Sequence, residues 1–411
     1  MKKIVFHASI LKGDLTGLGF YALTFIQALE EHFKDKNVSI TIYANGKFYD
    51  NLQEYQTLTS LPTPVAQPPT SFAHSLKIRV RRVLLKMIKM ILSEHFYLAL
   101  KKRLLPLLQK LKRMLQSRAN RSEQERTEIF DLYIEPSYEI AVLNAKKTLG
   151  CIHDLPLCDE KAWRISESLK AFLIEQVLPK MATFTETICF SEYTKTDILK
   201  TFGFSQERVH VIYHGLRKYR ENRIEALPPH FGDFILVVGA RARRRNVRGL
   251  IDAFKLLPAP LQHRFKVMIT GAPNDLSQDD EAYFKQNFIV DLGYVTDALL
   301  QTLYTHAHLL WWGSFAEGFG LPMVEAMQAQ CVVLASNVSC MPEILGDAGI
   351  YCNPYDVTDI AKQLEIALTD ETLRRQCVQK GLERVKKFDF QESMRKHIEI
   401  VERMLEDKST P

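Results

Sequence analysis

Residues 312–354 constrain this chain more than any other stretch. Glu317 precedes Gly318-Phe319-Gly320, a loop in which two residues without a Cβ let the backbone approach a ligand closely. Pro322 suits the first turn of a helix, where its missing N–H costs nothing. The amides of Phe319, Gly320 and Leu321 are therefore predicted at a helix N-terminus. Such an end carries roughly half a positive charge and accommodates an anion. Glu325 falls near the end of the first turn, about 5 Å along from Pro322. Residues 331–335 then form a short apolar run, read as a buried parallel strand. Ser336-Asn337 and Met341-Pro342-Glu343 supply polar turns beyond it.

The rest of the chain repeats one pattern of apolar strand, polar strand end and helix. Ile4-Val5-Phe6 leads into Thr16-Gly17-Leu18-Gly19-Phe20-Tyr21 and an amphipathic helix. Residues 234–239 open the same sequence again and run into Arg241, Arg243, Arg244, Arg245 and Asn246. Strand, glycine loop and helix begin a doubly wound domain, with the loop at the ligand edge of the sheet. Further strands are read at 130–134, ending in Glu135-Pro136-Ser137, and at 148–152, ending in His153-Asp154. A polar residue at the C-terminal end of such a strand faces the cleft. With 411 residues, two domains are expected rather than one.

Charge is concentrated in one place. Between positions 77 and 121 stand fourteen Lys/Arg and a single acid, Glu94, so this segment supplies the net charge of +6 and the remainder is acidic. Its apolar residues follow helical spacing through Leu76, Val80, Val83, Leu84 and Met87. Basic amphipathic helices suit an anionic membrane surface; a hairpin packing its apolar stripe on its own domain accounts for the same pattern. Both readings stay open, and nucleic acid is disfavoured because no stacking aromatics interleave the charges. Seven cysteines without a C-x-x-C point to buried thiols in a reducing cytoplasm. The N-terminus lacks the pattern of a signal peptide, and no run approaches ~18 apolar residues, so no membrane-spanning helix is expected.

The strings E-G-F-G-L-P-M-V-E-A-M and P-E-I-L-G-D-A-G-I-Y-C-N-P closely resemble the donor block of retaining GT-B glycosyltransferases of family 4. T-G-L-G-F-Y, H-D-L, S-E-Y-T-K and L-G-Y-V extend the resemblance, which is nearest to mannosyltransferase-like enzymes of bacterial surface polysaccharide synthesis. It implies an α/β GT-B fold, two doubly wound Rossmann-like domains facing across a cleft. The acceptor-side domain would span 1–215 with a basic helical insertion at 71–126, the linker 216–229 and the donor domain 230–389. Residues 390–411 would form a helix packing back on the first domain.

The same resemblance assigns roles. His153, Glu317, Arg244 and Arg245 would serve catalysis. Gly17, Gly19, Gly239, Tyr294, Val295, Gly318, Phe319, Gly320, Leu321 and Glu325 would hold the donor, with Glu325 on the ribose hydroxyls. The family's P-R-K-N is R-R-R-N here, from Arg243 to Asn246, and its P-S is Gly313-Ser314. Arg for Lys keeps the charge but changes a point charge into a fork. The implied reaction transfers a mannose- or rhamnose-like hexosyl group with retention, from a nucleotide-sugar co-substrate to a glycan or lipid-linked saccharide acceptor. The setting would be lipopolysaccharide, O-antigen or exopolysaccharide synthesis, in the cytoplasm or peripherally on the inner membrane face. No metal or other cofactor is implied. The altered arginine loop leaves one alternative, a non-catalytic nucleotide-sugar-binding partner of another transferase.

Overall fold

The computed structural model describes residues 1–12, 17–59, 129–141, 143–157, 167–216, 227, 231–271 and 283–406. The basic segment 71–126 and most of 216–229 lie outside these residues.

Two sheets carry the structure. The first has seven strands in the order β3-β2-β1-β4-β5-β6-β7, namely β1 (Lys2–His7), β2 (Val38–Ala44), β3 (Lys47–Tyr49), β4 (Phe130–Glu135), β5 (Ala145–Ile152), β6 (Glu186–Cys189) and β7 (Val209–Val211). The second has six, in the order β10-β9-β8-β11-β12-β13: β8 (Asp233–Val237), β9 (Phe265–Thr270), β10 (Ile289–Gly293), β11 (Leu309–Trp312), β12 (Val333–Ser336) and β13 (Ile350–Cys352). Every pairing is parallel except β2 with β3. Parallel strands are covered on both faces and read as continuous apolar runs; Leu309–Trp312 is buried at all four positions.

The two orders share a consequence. Each sheet reverses direction once, between β1 and β4 in the first and between β8 and β11 in the second. Ligands of doubly wound sheets bind outside the carboxyl ends of the strands at such points. His7 and Glu135 close the strands at the first reversal, and Trp312 closes β11 at the second.

The halves are joined by packing as well as by chain. The terminal helix Phe390–Glu406 buries Met394, His397, Ile398, Val401, Met404 and Leu405, one stripe at helical spacing, and lies against the helix Gly17–Phe33 of the first half. His397 Nδ1 donates to the Ser393 carbonyl at 2.7 Å, which leaves Nε2 to accept from the Tyr21 hydroxyl at 2.9 Å. Ser393 Oγ donates to the Tyr213 carbonyl at 2.8 Å. Among the described residues no helix is long and apolar enough to cross a membrane. The six described cysteines are buried free thiols.

Candidate active site between the two sheets

In the second half the site begins where β8 ends. Gly239 turns the chain at a φ of 65°. Arg243–Arg245 then form one 3-10 turn, and Asn246 caps the helix Val247–Lys255 by accepting from Gly249 N at 3.3 Å. Asn246 Nδ2 also donates to the Pro354 carbonyl at 2.8 Å, so this side chain pins the arginine turn to the loop after β13.

That turn delivers two guanidinium groups to one carboxylate. Arg245 Nη1 bonds Glu317 Oε1 and lies 3.3 Å from Ser314 Oγ. Arg244 Nε is 3.3 Å from the same Glu317 oxygen. The Arg245 guanidinium stacks on Trp312, 3.7 Å from a ring centroid, while Trp311 Nε1 donates to the Arg245 carbonyl at 3.2 Å. Glu317 is only 5% exposed. Its backbone is held by Ser339, whose Oγ accepts from Glu317 N at 3.1 Å and donates to Glu317 O at 2.8 Å. Burial pushes the Arg245 pKa down to about 10 against the pull of Glu317. For Arg244 burial also opposes the charge, but Glu317 and Asp154 outweigh it and its pKa rises. Two buried donors, Arg245 Nε and Trp312 Nε1, have no acceptor among the described residues. Arg241 is drawn elsewhere, to Asp291 and the Gly271 carbonyl, and Arg243 is exposed.

The loop after Glu317 meets the first half directly. A Cβ built on Gly318 would stand 1.9 Å from the His153 carbonyl oxygen, so only glycine fits there. Gly320, at a φ of 87°, turns into the helix Leu321–Gln328, with Pro322 in its first turn. The Phe319 ring packs edge-on against His214 at 5.1 Å and Phe388 at 5.7 Å. The ring is thus core of the contact between halves, and only the backbone of Phe319 stays with the loop. Glu325 accepts from the Tyr304 hydroxyl at 2.9 Å.

From the first half, the end of β5 presents His153 and Asp154. His153 Nε2 lies 3.0 Å from the Pro136 carbonyl; a carbonyl only accepts, so Nε2 carries the proton. Burial lowers the His153 pKa to about 4, which makes the ring neutral near pH 7, with Nδ1 an acceptor. Asp154 bonds the Tyr138 hydroxyl, and burial raises its pKa although Tyr138, Arg244 and Arg245 act the other way. Rings surround His153: Phe190 stacks at 4.5 Å and Tyr21 stands edge-on at 5.0 Å.

Glu317, Arg244 and Arg245 are therefore brought to one place, with Gly318, Phe319, Gly320 and Leu321 beside them; His153 meets them through its carbonyl at Gly318, while its ring lies among Phe190, Tyr21 and His214. Gly17 and Gly19 lie in the first turn of the helix Gly17–Phe33, next to residues outside the described set. Tyr294, 69% exposed, and Val295 follow β10, two strands from the reversal point, and are not drawn into the arginine–glutamate cluster.

One cluster was missed by sequence reasoning. At the first reversal point His7 Nδ1 donates to Glu135 Oε2 at 2.5 Å. Tyr133 donates to that same oxygen, and Ser137 N and Oγ both donate to Oε1 at 3.0 Å. Glu135 is wholly buried and fixes the turn whose Pro136 carbonyl sets the His153 tautomer. The strand-end rule that marked His153 marks Glu135 as well, but Glu135 is buried rather than turned to the cleft, and the rule does not show that His7, Tyr133 and Ser137 converge on it. Among the described residues no group of three or more His, Cys, Asp or Glu stands together as metal ligands.

Residues 219–384 match the family described as glycosyl transferases group 1, and the arrangement of both halves is that of GT-B glycosyltransferase structures. Sucrose-phosphate synthase from Thermosynechococcus elongatus superposes with a TM-score of 0.61 at 15% identity, over 98% of this chain and 99% of that one. More particularly, the chain is a homologue of Escherichia coli O-antigen mannosyltransferases. It is 30% identical to O-antigen chain mannosyltransferase B over 49% of this chain and 56% of that protein. It is 29% identical to the serotype-specific mannosyltransferase WbdA over 63% of this chain and 34% of that protein. The chain thus spans about half and about a third of these two relatives.

Proposed function

We propose that this protein transfers a hexosyl group, mannose- or rhamnose-like, from a nucleotide-sugar to a glycan or lipid-linked acceptor with retention, in the assembly of O-antigen or a related surface polysaccharide. The observation that carries the proposal is the Arg244–Glu317–Arg245 cluster, held at the second reversal point, with the His153 carbonyl against the adjoining Gly318 across the contact between halves. The mannosyltransferase relatives support the sugar class, and the glycosyl transferases group 1 domain supports the reaction class.

The chemistry follows from charge. Breaking the bond between the sugar C1 and the diphosphate oxygen leaves negative charge on the leaving group and positive charge on the ring. Fixed cations aimed at a leaving group act most strongly in a water-poor site. Arg244 and Arg245 fill that role, with Arg245 Nε and Trp312 Nε1 as further donors that have no acceptor among the described residues. Glu317 neutralises part of the two cations before the donor arrives and stands beside the developing sugar cation once it has. The acceptor oxygen bonds C1 on the face the phosphate leaves, and its proton passes to a phosphate oxygen, so no separate base is required. His153, neutral and with Nδ1 as acceptor, suits a sugar hydroxyl. Donor-side placement is assigned to Gly239, Gly318, Phe319, Gly320, Leu321 and Glu325, with Tyr294 and Val295 by the base and Gly17 and Gly19 toward the acceptor. The basic segment 77–121 would place the protein against an anionic inner membrane face.

The test is release of nucleoside diphosphate from GDP-mannose, dTDP-rhamnose and their UDP and ADP counterparts, with and without a lipid-linked acceptor. Acceptor-dependent release from one donor, lost in Arg245→Ala, is the expected result. Binding of a nucleotide-sugar without transfer to any acceptor would instead favour the non-catalytic partner, the reading raised by the R-R-R-N loop.

A further inference from the structure

The donor loop is gripped from the opposite half of the molecule. Ser191 and Thr194, at the start of the helix Glu192–Phe202, are almost wholly buried. Ser191 Oγ donates to the Gly318 carbonyl at 2.7 Å and accepts from Thr194 N at 3.1 Å, capping its own helix. Thr194 Oγ1 stands 3.3 Å from the same carbonyl and 3.0 Å from Ser191 Oγ, so its one proton serves either. A second link lies alongside. Glu343 Oε1 and Oε2 accept from Glu192 N at 2.7 Å and Tyr193 N at 3.1 Å, an acid from the second half on the positive end of a helix in the first. The Glu343 peptide is itself anchored, because Arg384 donates to the Glu343 and Ile344 carbonyls.

The grip falls on a consequential peptide. The Gly318 carbonyl and the Phe319 amide belong to one planar trans unit and point in opposite directions; holding the oxygen therefore sets the direction of the amide. Glu317 is the residue before, and the His153 carbonyl touches Gly318 from the other side. We propose that Ser191 is a positioning residue, whose hydroxyl latches the Gly318–Phe319 peptide when the halves are together and so couples their closure to the placement of Glu317 and the donor-loop amides. When the halves part, Ser191 keeps its cap within the helix and surrenders only the bond to Gly318. The latch thus senses closure without cost to the helix that carries it. Its catalytic consequence rests on the transferase reading; the latch itself does not.

The experiment separates cap from latch by choice of side chain. Ser191→Asp still caps the helix, since aspartate is a good N-cap, but it has no proton to donate and sets a charge against the Gly318 oxygen. Ser191→Thr retains both functions, and Thr194→Val removes only the second hydroxyl. Hydrogen exchange without ligand is the first measurement. Amides 317–321 should exchange about tenfold faster in Ser191→Asp, the helix 192–202 should stay protected, and Ser191→Thr should match wild type. Steady-state transfer is the second: kcat should fall about tenfold or more in Ser191→Asp, with donor KM changed less than about threefold. Unaltered loop exchange in Ser191→Asp overturns the latch whatever the enzyme does. Faster exchange with undiminished kcat overturns its link to catalysis. A wild type that transfers no sugar while the loop exchange changes as expected leaves the latch standing and removes the transferase reading.

Discussion

At the end of β5 the first half presents a histidine kept neutral by burial, ringed by Phe190, Tyr21 and His214. At the end of β11 the second half presents two guanidinium groups on one buried carboxylate. Both halves are wound alike, and both place these groups at strand ends near a reversal point. On the proposed function the contrast has a reason: a sugar or acceptor hydroxyl would need hydrogen bonds and no net charge, whereas a leaving diphosphate would need cations. Similar scaffolds thus carry different electrostatics, a neutral ring in one half and a cationic cluster in the other.

The largest effect expected from disturbing this contrast comes from Glu317→Gln. The substitution leaves Arg244 and Arg245 facing each other without their shared counter-ion. Loss of one partner from a buried charge group costs about 3–5 kcal/mol, and transfer should fall about 10²- to 10³-fold. Saturating nucleoside diphosphate should restore much of the lost melting temperature, because the phosphates supply the missing negative charge. Melting curves with and without the nucleotide, beside turnover rates, check both parts. Undiminished turnover would reduce Glu317 to a counter-ion.

Gly318→Ala attacks the contact between the halves rather than the charge. Its methyl group would need the space of the His153 carbonyl oxygen, so the halves must separate or the loop must shift. A misplacement on the order of 1 Å can cost about a hundredfold in rate. Small-angle scattering should show an expanded molecule, with nucleotide binding to the second half largely kept. An unexpanded, fully active variant would mean that the contact is dispensable.

The neutral half predicts a pH response. Burial holds the pKa of His153 and of His397 to about 4 and that of His214 well below its usual value. In the unfolded chain these groups titrate near about 6.5. Between these limits the unfolded state binds more protons, so stability is full above about pH 6.5 and is lost as the pH falls toward 4. Asp154, whose pKa is raised by burial, works the other way as the pH falls and blunts the loss. Melting temperature followed from pH 8 to 4.5 should be level and then fall by several degrees, with a shallower fall in His397→Gln. A level profile throughout would show that the three rings reach solvent before unfolding.

Much of the fold could be read in the chain because parallel strands covered on both faces appear as continuous apolar runs, such as I-V-F and F-I-L-V-V. Their polar ends then marked the cleft edge, as His153 does. The short antiparallel β3 and the helix Leu52–Thr59 left no comparable signal, since each buries few residues. Long-range partnerships were illegible for a different reason. His7 bonds Glu135 across 128 positions and Ser191 bonds Gly318 across 127; periodicity reports which face is buried and is silent on which strand ends meet. S-E-Y-T-K could be read as a helix cap, but nothing in it says that the capping hydroxyl also grips another half.

The smallest effect concerns the departure of the arginine loop from P-R-K-N. A lysine ammonium is a point charge, whereas the Arg245 guanidinium is a flat fork and needs a surface to lie on. Trp312 supplies that surface at 3.7 Å, and Trp311 holds the Arg245 carbonyl from the other side of the strand. A desolvated cation–π contact contributes up to about 2 kcal/mol, so Trp312→Leu should raise the donor KM roughly tenfold, with kcat less affected. In an Arg245→Lys background the same change should cost little, because the ammonium does not stack as a plane. Nucleoside diphosphate titrations on wild type, both single variants and the double variant give the coupling directly. Additive losses would mean that the tryptophan serves only the core and that the guanidinium is placed by Glu317 and Ser314 alone.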